Sequence, residues 1–285
     1  HQPDSFNWLS DFQHHSGIVQ LHQTQSLVLK TTSYRDKDLV VHFLTKEFGK
    51  KTGIFYGARS QRSAYRSMSE PFSLLGIEFS EKENADMITI RSADLLESHV
   101  DLRKNYHHFL LASYFTELVH ISLIPDPESE AYFELLENAL NHLPSKKDIT
   151  AHKIEFELKL LHLLGVYPQL EHCVICSKPV FQEVPIKTQL NPKKNRLYQI
   201  DVSHGGVRCE TCFSSNSQSI LINPGSLMFL NCWSQTLRNF NSLEIRPTRQ
   251  NLAEINPLIQ ESFKLHLPRQ PKASSLLEKA LDGVG

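Results

Sequence analysis

Two identical cysteine knuckles constrain this chain more than anything else in it: Cys173-Val174-Ile175-Cys176 and Cys209-Glu210-Thr211-Cys212, with 32 residues between them. Two cysteines separated by two residues can aim both sulfurs at one ion. A second such turn then completes a tetrahedral sphere with no position left for water. The spacing therefore reads as a structural metal site holding one Zn2+. The flanking residues agree, since Pro179 follows the first knuckle and His204-Gly205-Gly206 precedes the second, letting the backbone turn tightly about the sulfurs. The competing reading is four unrelated buried thiols or two disulfides. A closed zinc site organises a fold without naming its function.

At 285 residues and 40% hydrophobic, the chain can bury an ordinary core and is long enough for two or three domains. No run of 18 apolar residues occurs and the first 25 residues are polar, so neither a membrane span nor a secretory leader is expected. Five cysteines, four of them in metal spacing, point to a reducing compartment and a cytoplasmic protein. The fifth, Cys232, lies in a helical-looking run beside Met228 and Trp233 and reads as an ordinary buried thiol.

The formal net charge of −1 conceals a segregation. Between Lys30 and Ser67 stand nine basic residues (Lys30, Arg35, Lys37, Lys46, Lys50, Lys51, Arg59, Arg62, Arg66) and three acidic ones (Asp36, Asp38, Glu47), a local balance of +6. Residues 68–99 carry −5 and residues 100–165 carry −4. Such asymmetry describes an anion-binding face on an otherwise acidic protein.

Hydropathy periodicity divides the chain further. Residues 1–23 lack a clear period and read as an N-terminal extension, partly ordered through Phe6, Trp8 and Phe12. Residues 24–100 hold five short β-branched or aromatic runs: Ser26–Leu29, Leu39–Leu44, Gly53–Tyr56, Phe72–Phe79 and Met87–Ile90. Five short strands in so small a span predict an OB-fold-like barrel, an SH3-like barrel being the alternative. Past Asp101 the period turns helical, with helices expected over Tyr106–Ile121 (stopped by Pro125), Tyr132–Leu143, Ile149–Leu164, Pro224–Phe240, Pro247–Leu267 and Ser274–Leu281. The expected architecture is α+β: a barrel, then an all-helical domain in two parts, 101–168 and 215–285, carrying the zinc module of residues 169–214.

No Gly-rich phosphate loop, Walker lysine, Gly-x-Ser-x-Gly elbow or His-Glu-x-x-His helix is present. The dense basic segment with its tyrosines reads as nucleic-acid binding by the barrel, the alternative being a merely solubilising charged surface. Candidate phosphate contacts are Arg35, Lys37, Lys46, Lys50, Lys51, Arg59, Arg62 and Arg66, with Tyr34 and Tyr56 as platforms for bases and Tyr65 close by. Because side chains alternate along a strand, about half of the strand lysines must face away from any one groove.

The order of several local matches resembles the RecO family of bacterial recombination mediators. These are Ser33-Tyr34-Arg35-Asp36-Lys37-Asp38 followed by Phe43-Leu44-Thr45-Lys46-Glu47-Phe48-Gly49-Lys50, the step Gly57-Ala58-Arg59, and Glu117-Leu118. Further along come Ile154-Glu155-Phe156-Glu157-Leu158-Lys159-Leu160-Leu161 leading through Gly165-Val166-Tyr167-Pro168-Gln169-Leu170 to the first knuckle, and Gly205-Gly206-Val207-Arg208 before the second. Two departures stand out. Ser177 occupies a place where the family often has glycine, and Ser60, Gln61 and Ala64 dilute the basic segment after Gly57.

The resemblance implies a non-enzymatic protein of the RecFOR pathway that binds single- and double-stranded DNA. It implies annealing of complementary strands and, with RecR, help in loading RecA onto DNA coated by the single-strand-binding protein SSB, without ATP hydrolysis. It also implies a nucleoid-associated location, and contact with the acidic, hydrophobic SSB C-terminal tail, which needs an apolar pocket rimmed by Lys or Arg that a helical domain can supply. Two other readings compete: a zinc-ribbon adaptor whose barrel binds protein, and a metal-dependent nuclease whose acids in segment 68–99 hold divalent ions.

Overall fold

The computed structural model describes residues 20–81, 86–123, 130–180, 197–213, 219–239 and 247–282. Residues 1–19 of the expected extension, with Phe6, Trp8 and Phe12, lie outside them, as do Pro125 and Phe240.

Five antiparallel strands, β1 (Gln20–Tyr34), β2 (Asp38–Thr45), β3 (Gly49–Phe55), β4 (Leu74–Glu81) and β5 (Thr89–Glu97), form one sheet in the order β3-β2-β1-β4-β5. A four-residue helix, α1 (Tyr65–Met68), bridges β3 and β4. The sheet curls until β3 meets β5 at a Gly53–Ile88 bridge, which makes it OB-like. Gly53 allows the close approach there, since a Cβ would sit 3.1 Å from Ile90 and 3.2 Å from Ile88 and those side chains would have to shift. The first strand begins at Gln20, ahead of the expected barrel start, and Gln20–Gln23 pairs with Glu81–Glu78.

Two cores share the barrel wall. Val28, Val41, Phe43, Phe55, Leu75, Ile77, Phe79 and Ile88 fill the barrel. Their neighbours Leu27, Leu29, Leu44 and Leu74 point outward into the helical core. This is why Ser26–Leu29 is buried at every position and does not alternate. A bulge between Val28 and Lys30 adjusts the register against β2 at that point. Each fully buried Phe or Leu on either face contributes about 1.5–3 kcal/mol, so barrel and helices share one folding free energy.

The helical part comprises α2 (Val100–Lys104), α3 (Tyr106–Ser122), α4 (Glu130–His142), α5 (Ile149–Leu163), α6 (Pro224–Asn239), α7 (Arg249–His266) and α8 (Ser274–Asp282). Asn105, Asp148 and Thr248 cap α3, α5 and α7 with side-chain oxygens, as Ser/Thr/Asx residues do at N-termini. Lys50 reaches from β3 to the end of α3, its Nζ donating to the carbonyls of His120 at 3.3 Å and Leu123 at 3.1 Å. A cation at a helix C-terminus satisfies orphan carbonyls and the helix dipole together. Between α5 and its neighbours lies a buried polar group. Lys153 Nζ donates to Glu157 Oε1 at 2.8 Å and to Asn256 of α7 at 3.0 Å, while Tyr114 of α3 donates to Glu157 at 2.5 Å.

One element was not foreseen. A second sheet of three short strands, β6 (Tyr198–Asp201), β7 (Gly206–Arg208) and β8 (Ser219–Ile222), in the order β7-β6-β8, runs through the cysteine module and leads into α6. Its Ile200, Val207 and Ile222 belong to the helical core, so the module is part of that domain. No helix among the described residues is long and apolar enough to cross a membrane.

Candidate metal centre and nucleic-acid interface

The four knuckle cysteines converge. Their sulfurs all lie within 4.8 Å of one another, and Cys176 and Cys209 are 3.5 Å apart. A tetrahedron with metal–sulfur bonds of about 2.3 Å has sulfur–sulfur edges of about 3.8 Å, so the donor set fits a four-coordinate ion. Each knuckle is a tight turn: the Ser177 amide donates to Cys173 O at 2.8 Å and the Cys212 amide to Cys209 O at 3.0 Å. The knuckles are registered by main-chain bonds, Val174 N to Val207 O at 3.0 Å and Val207 N to Gln169 O at 2.8 Å. Glycine is needed at position 206, where a Cβ would stand 2.3 Å from the Gln169 carbonyl.

Four crowded thiols cannot all ionise without a cation between them. The Thr211 hydroxyl, and after it the neighbouring sulfurs, draw Cys209 down to about 6, whereas bonding to Cys176 pushes Cys212 up to about 12. A bound metal removes that conflict by stabilising every thiolate. Among the described residues this is the one cluster of three or more His, Cys, Asp or Glu close enough to hold an ion.

Beside this centre, Asp201 braces the β6–β7 turn. Burial opposes its charge, but Ser203, Arg208 and His204 hold its carboxyl well below the ordinary carboxylate range. Asp201 accepts from Arg208 Nε at 2.7 Å and from the His204 amide at 3.1 Å. Arg208 belongs to the Gly205-Gly206-Val207-Arg208 match, but Asp201 carries no motif of its own, and the spacing of the two across a Gly-Gly turn is the signal that links them.

The basic candidates separate into two groups. The β1–β2 turn carrying Arg35 and Lys37 is joined to the segment after β3, for the Arg59 amide donates to Lys37 O at 2.9 Å and the Gly57 amide to Asp38 Oδ1 at 2.8 Å. Arg35, Lys37, Arg59, Arg62 and Arg66 are all exposed. Arg35 lies 5.0 Å from the centroid of the exposed Tyr34 ring, and Tyr56 is 63% exposed. The other group is engaged within the protein. Lys50 caps α3 as described, Lys51 donates to both oxygens of Glu81 at 2.8 and 2.9 Å, and Lys46 sits 3.6 Å from Glu130. Tyr65 stacks on Phe55 at 4.6 Å between centroids, so its ring is already occupied.

In the helical domain, a cleft of about 480 Å³ is lined by Ile154, Leu158, Phe229 and Trp233, with Lys146 and Lys147 among its polar residues. Phe229 and Trp233 stack 6.1 Å apart. Asp148 and Glu155 line the same cleft, Glu155 lying 3.9 Å from Lys146, so two carboxylates stand beside its two lysines and the apolar floor is the feature that suits a peptide.

Comparison with known proteins places this arrangement. Residues 19–99 match the family model described as Recombination protein O N terminal, and residues 103–275 match Recombination protein O C terminal. A protein of Syntrophus aciditrophicus (strain SB) named DNA repair protein RecO is 35% identical over 196 residues, covering 68% of this chain and 70% of that protein. Proteins of the same name from Bacillus pumilus (strain SAFR-032) and Geobacter metallireducens are each 25% identical, over 235 and 257 residues, covering 82% and 90% of this chain and 85% and 97% of theirs. The barrel, the cysteine module and the helices from α3 to α7 thus fall within matched regions, and the chain belongs to the RecO family.

Proposed function

We propose that this protein is a DNA-binding recombination mediator of DNA repair, which anneals complementary strands and, with RecR, helps load RecA onto SSB-coated single strands without hydrolysing ATP. The observation that carries the reading is the junction of the β1–β2 turn with the segment after β3. It gathers Arg35, Lys37, Arg59, Arg62 and Arg66 with the exposed ring of Tyr56 and with Tyr34, one face of which already carries the Arg35 guanidinium. Cations there neutralise phosphates and release counterions, and aromatic faces accept any base. Neutralising two strands at one surface removes their repulsion, which is what annealing requires. Lys46, Lys50 and Lys51 act mainly through their protein partners.

Zinc is the ion that the four-sulfur set suits best, and its role is structural because cysteine fills every coordination position. The cleft floored by Phe229 and Trp233 receives the apolar, acidic SSB tail, with Lys146 and Lys147 meeting its carboxylates.

The test is to mix labelled complementary strands coated with SSB, with and without the purified protein. Faster annealing without ATP is expected. Cleavage in magnesium or manganese would instead establish a nuclease, and no change together with no DNA binding at moderate salt would establish a protein-binding adaptor.

A further inference from the structure

Arg103 stands at the end of α2 and outside the barrel, yet it shares a notch with the basic segment. An open cavity of about 540 Å³ is lined by Ser63, Arg66, Ser67, Glu70 and Arg103. Arg103 Nη1 donates to Pro71 O at 2.8 Å, which orients a half-buried guanidinium whose remaining N–H groups make no other bond among the described residues. Arg66 is exposed and makes no ion pair among the described residues. Two arginines and the carboxylate of Glu70 line the notch, which leaves it a net formal charge of +1.

That charge equals the charge of one phosphodiester. A guanidinium held at one edge presents its others as a fork for two oxygens, a geometry that lysine lacks. Beyond the notch, α3 opens with Tyr106, 62% exposed, and Phe109, 37% exposed. They lie three residues apart and so share a helix face. Phe109 meets Phe72 edge-on at 5.8 Å, immediately after the Pro71 carbonyl that holds Arg103. Arg103 and Tyr106 are also three residues apart, at most about 11 Å along the chain. The phosphate fork therefore stands beside the Pro71–Phe72 step on which Phe109 packs, and Tyr106, whose ring meets His107 edge-on at 5.7 Å and is otherwise largely exposed, begins the same helix face. The segment lining the notch continues directly from Arg59 and Arg62.

We infer that the nucleic-acid path leaves the barrel through this notch, where Arg66 and Arg103 hold one backbone phosphate of a single strand and Tyr106 receives an adjacent base. The inference rests on the reading of the barrel segment as a DNA-binding face and extends it onto the helical domain. It selects single strands, because a base must leave its stack to lie on Tyr106.

The experiment uses the full-length protein and an oligothymidylate, with affinity read by fluorescence anisotropy across a salt series. It compares Arg66→Glu, Tyr106→Ala, Tyr106→Phe and a barrel variant reversed at Arg35, Lys37, Arg59 and Arg62. Arg66→Glu should flatten the slope of log affinity against log salt by about 0.7, the single-strand value per contact. Tyr106→Ala should weaken single-strand binding about 5- to 150-fold, the range of one base stack, while Tyr106→Phe retains it. Photo-crosslinking to 5-iodouracil strands, mapped by mass spectrometry, should label Tyr106. If Arg66→Glu and Tyr106→Ala bind like the parent while the barrel variant is weakened, the notch is overturned and the barrel reading stands. If the barrel variant also binds like the parent, both fall. Equal losses for duplex and single strand from Tyr106→Ala would overturn the stacking role.

Discussion

The main-chain amide of Arg59 donates to the carbonyl of Lys37 at 2.9 Å, fastening the loop after β3 onto the β1–β2 turn. Residues 22 positions apart in sequence thereby present their cations at one end of the barrel. Reversing the charges of Arg35, Lys37, Arg59 and Arg62 together should flatten the salt slope of DNA affinity by about 0.7–0.9 for each true contact. All four are exposed, so thermal stability should hold. Lys50→Met should do the opposite: it removes the cap on α3, costing about 1.5–3 kcal/mol of stability, and leaves the salt slope unchanged. A folded reversal variant with the parental slope would move the DNA face elsewhere.

That division between the two groups of cations was only half legible in the sequence. Charge density marked the segment from Lys30 to Ser67, but which lysines are committed to protein partners depends on Glu81, Glu130 and the end of α3, all distant in sequence. The barrel strands were legible because short β-branched runs with turn residues between them are a local signal. Gln20–Gln23 was not, since that end of β1 is mostly exposed and carries no apolar alternation. Strands β6, β7 and β8 have four, three and four residues, too few to establish a period. The metal centre was read from spacing alone, whereas its brace at Asp201 appears only once β6 and β7 are seen to pair across the Gly205-Gly206 turn.

Acid should loosen the joint between barrel and helices. His120 faces His42 across 5.4 Å between ring centroids. Burial first, then the charges of Lys50 and His42, bring His120 down to about 4 from an ordinary value near 6.5. Its folded pKa lies below its unfolded one, so the unfolded chain binds the proton first. The contribution is complete above about pH 6.5 and is lost as pH falls toward 4. Because the ring is partly solvated, the effect is on the order of 1–2 kcal/mol after screening. His42 shifts in the same direction, again chiefly through burial. Denaturant unfolding of His120→Gln at several pH values should show a flatter profile in this window. Losses below about pH 4.5 belong instead to carboxylates such as Glu155, held at about 2 chiefly by His152.

Metal analysis of the purified protein should find about one zinc per chain. Cys173 is buried and the other three ligands are more open, so chelation should extract the ion and lower the melting temperature, since ion affinity in such a site is folding free energy. Cys173→Ser should destabilise the cysteine module and its neighbouring helices. Far less than one equivalent of zinc, with no change on chelation, would refute the assignment.

Ser177, where the family often has glycine, has φ +59 and is therefore in the left-handed region. A side chain there costs about 1 kcal/mol relative to glycine, partly offset by the greater freedom glycine has in the unfolded chain. Ser177→Gly should raise stability by about 0.5–1 kcal/mol with zinc content unchanged. A loss of stability would show that the Ser177 side chain contributes a contact outweighing the strain.

The ion pair inside the helical domain makes a final, sharper test. Lys153 and Glu157 are 5% and 0% exposed, and Glu157 collects Lys153, Tyr114 and, at 3.4 Å, Gln260 on its single oxygen Oε1. Its other oxygen, Oε2, is buried with no hydrogen-bond partner. Desolvating both charges offsets much of their attraction, so the pair as a whole adds little net stability. Removing one member is different, because the survivor is left buried and charged. Lys153→Met and Glu157→Leu should each cost about 3–5 kcal/mol, while the double variant should cost much less than their sum. The comparison is a double-mutant cycle by denaturant unfolding. Additive losses would mean that each side chain acts through its own partners, Asn256 for Lys153 and Tyr114 for Glu157, and that the charges themselves scarcely interact.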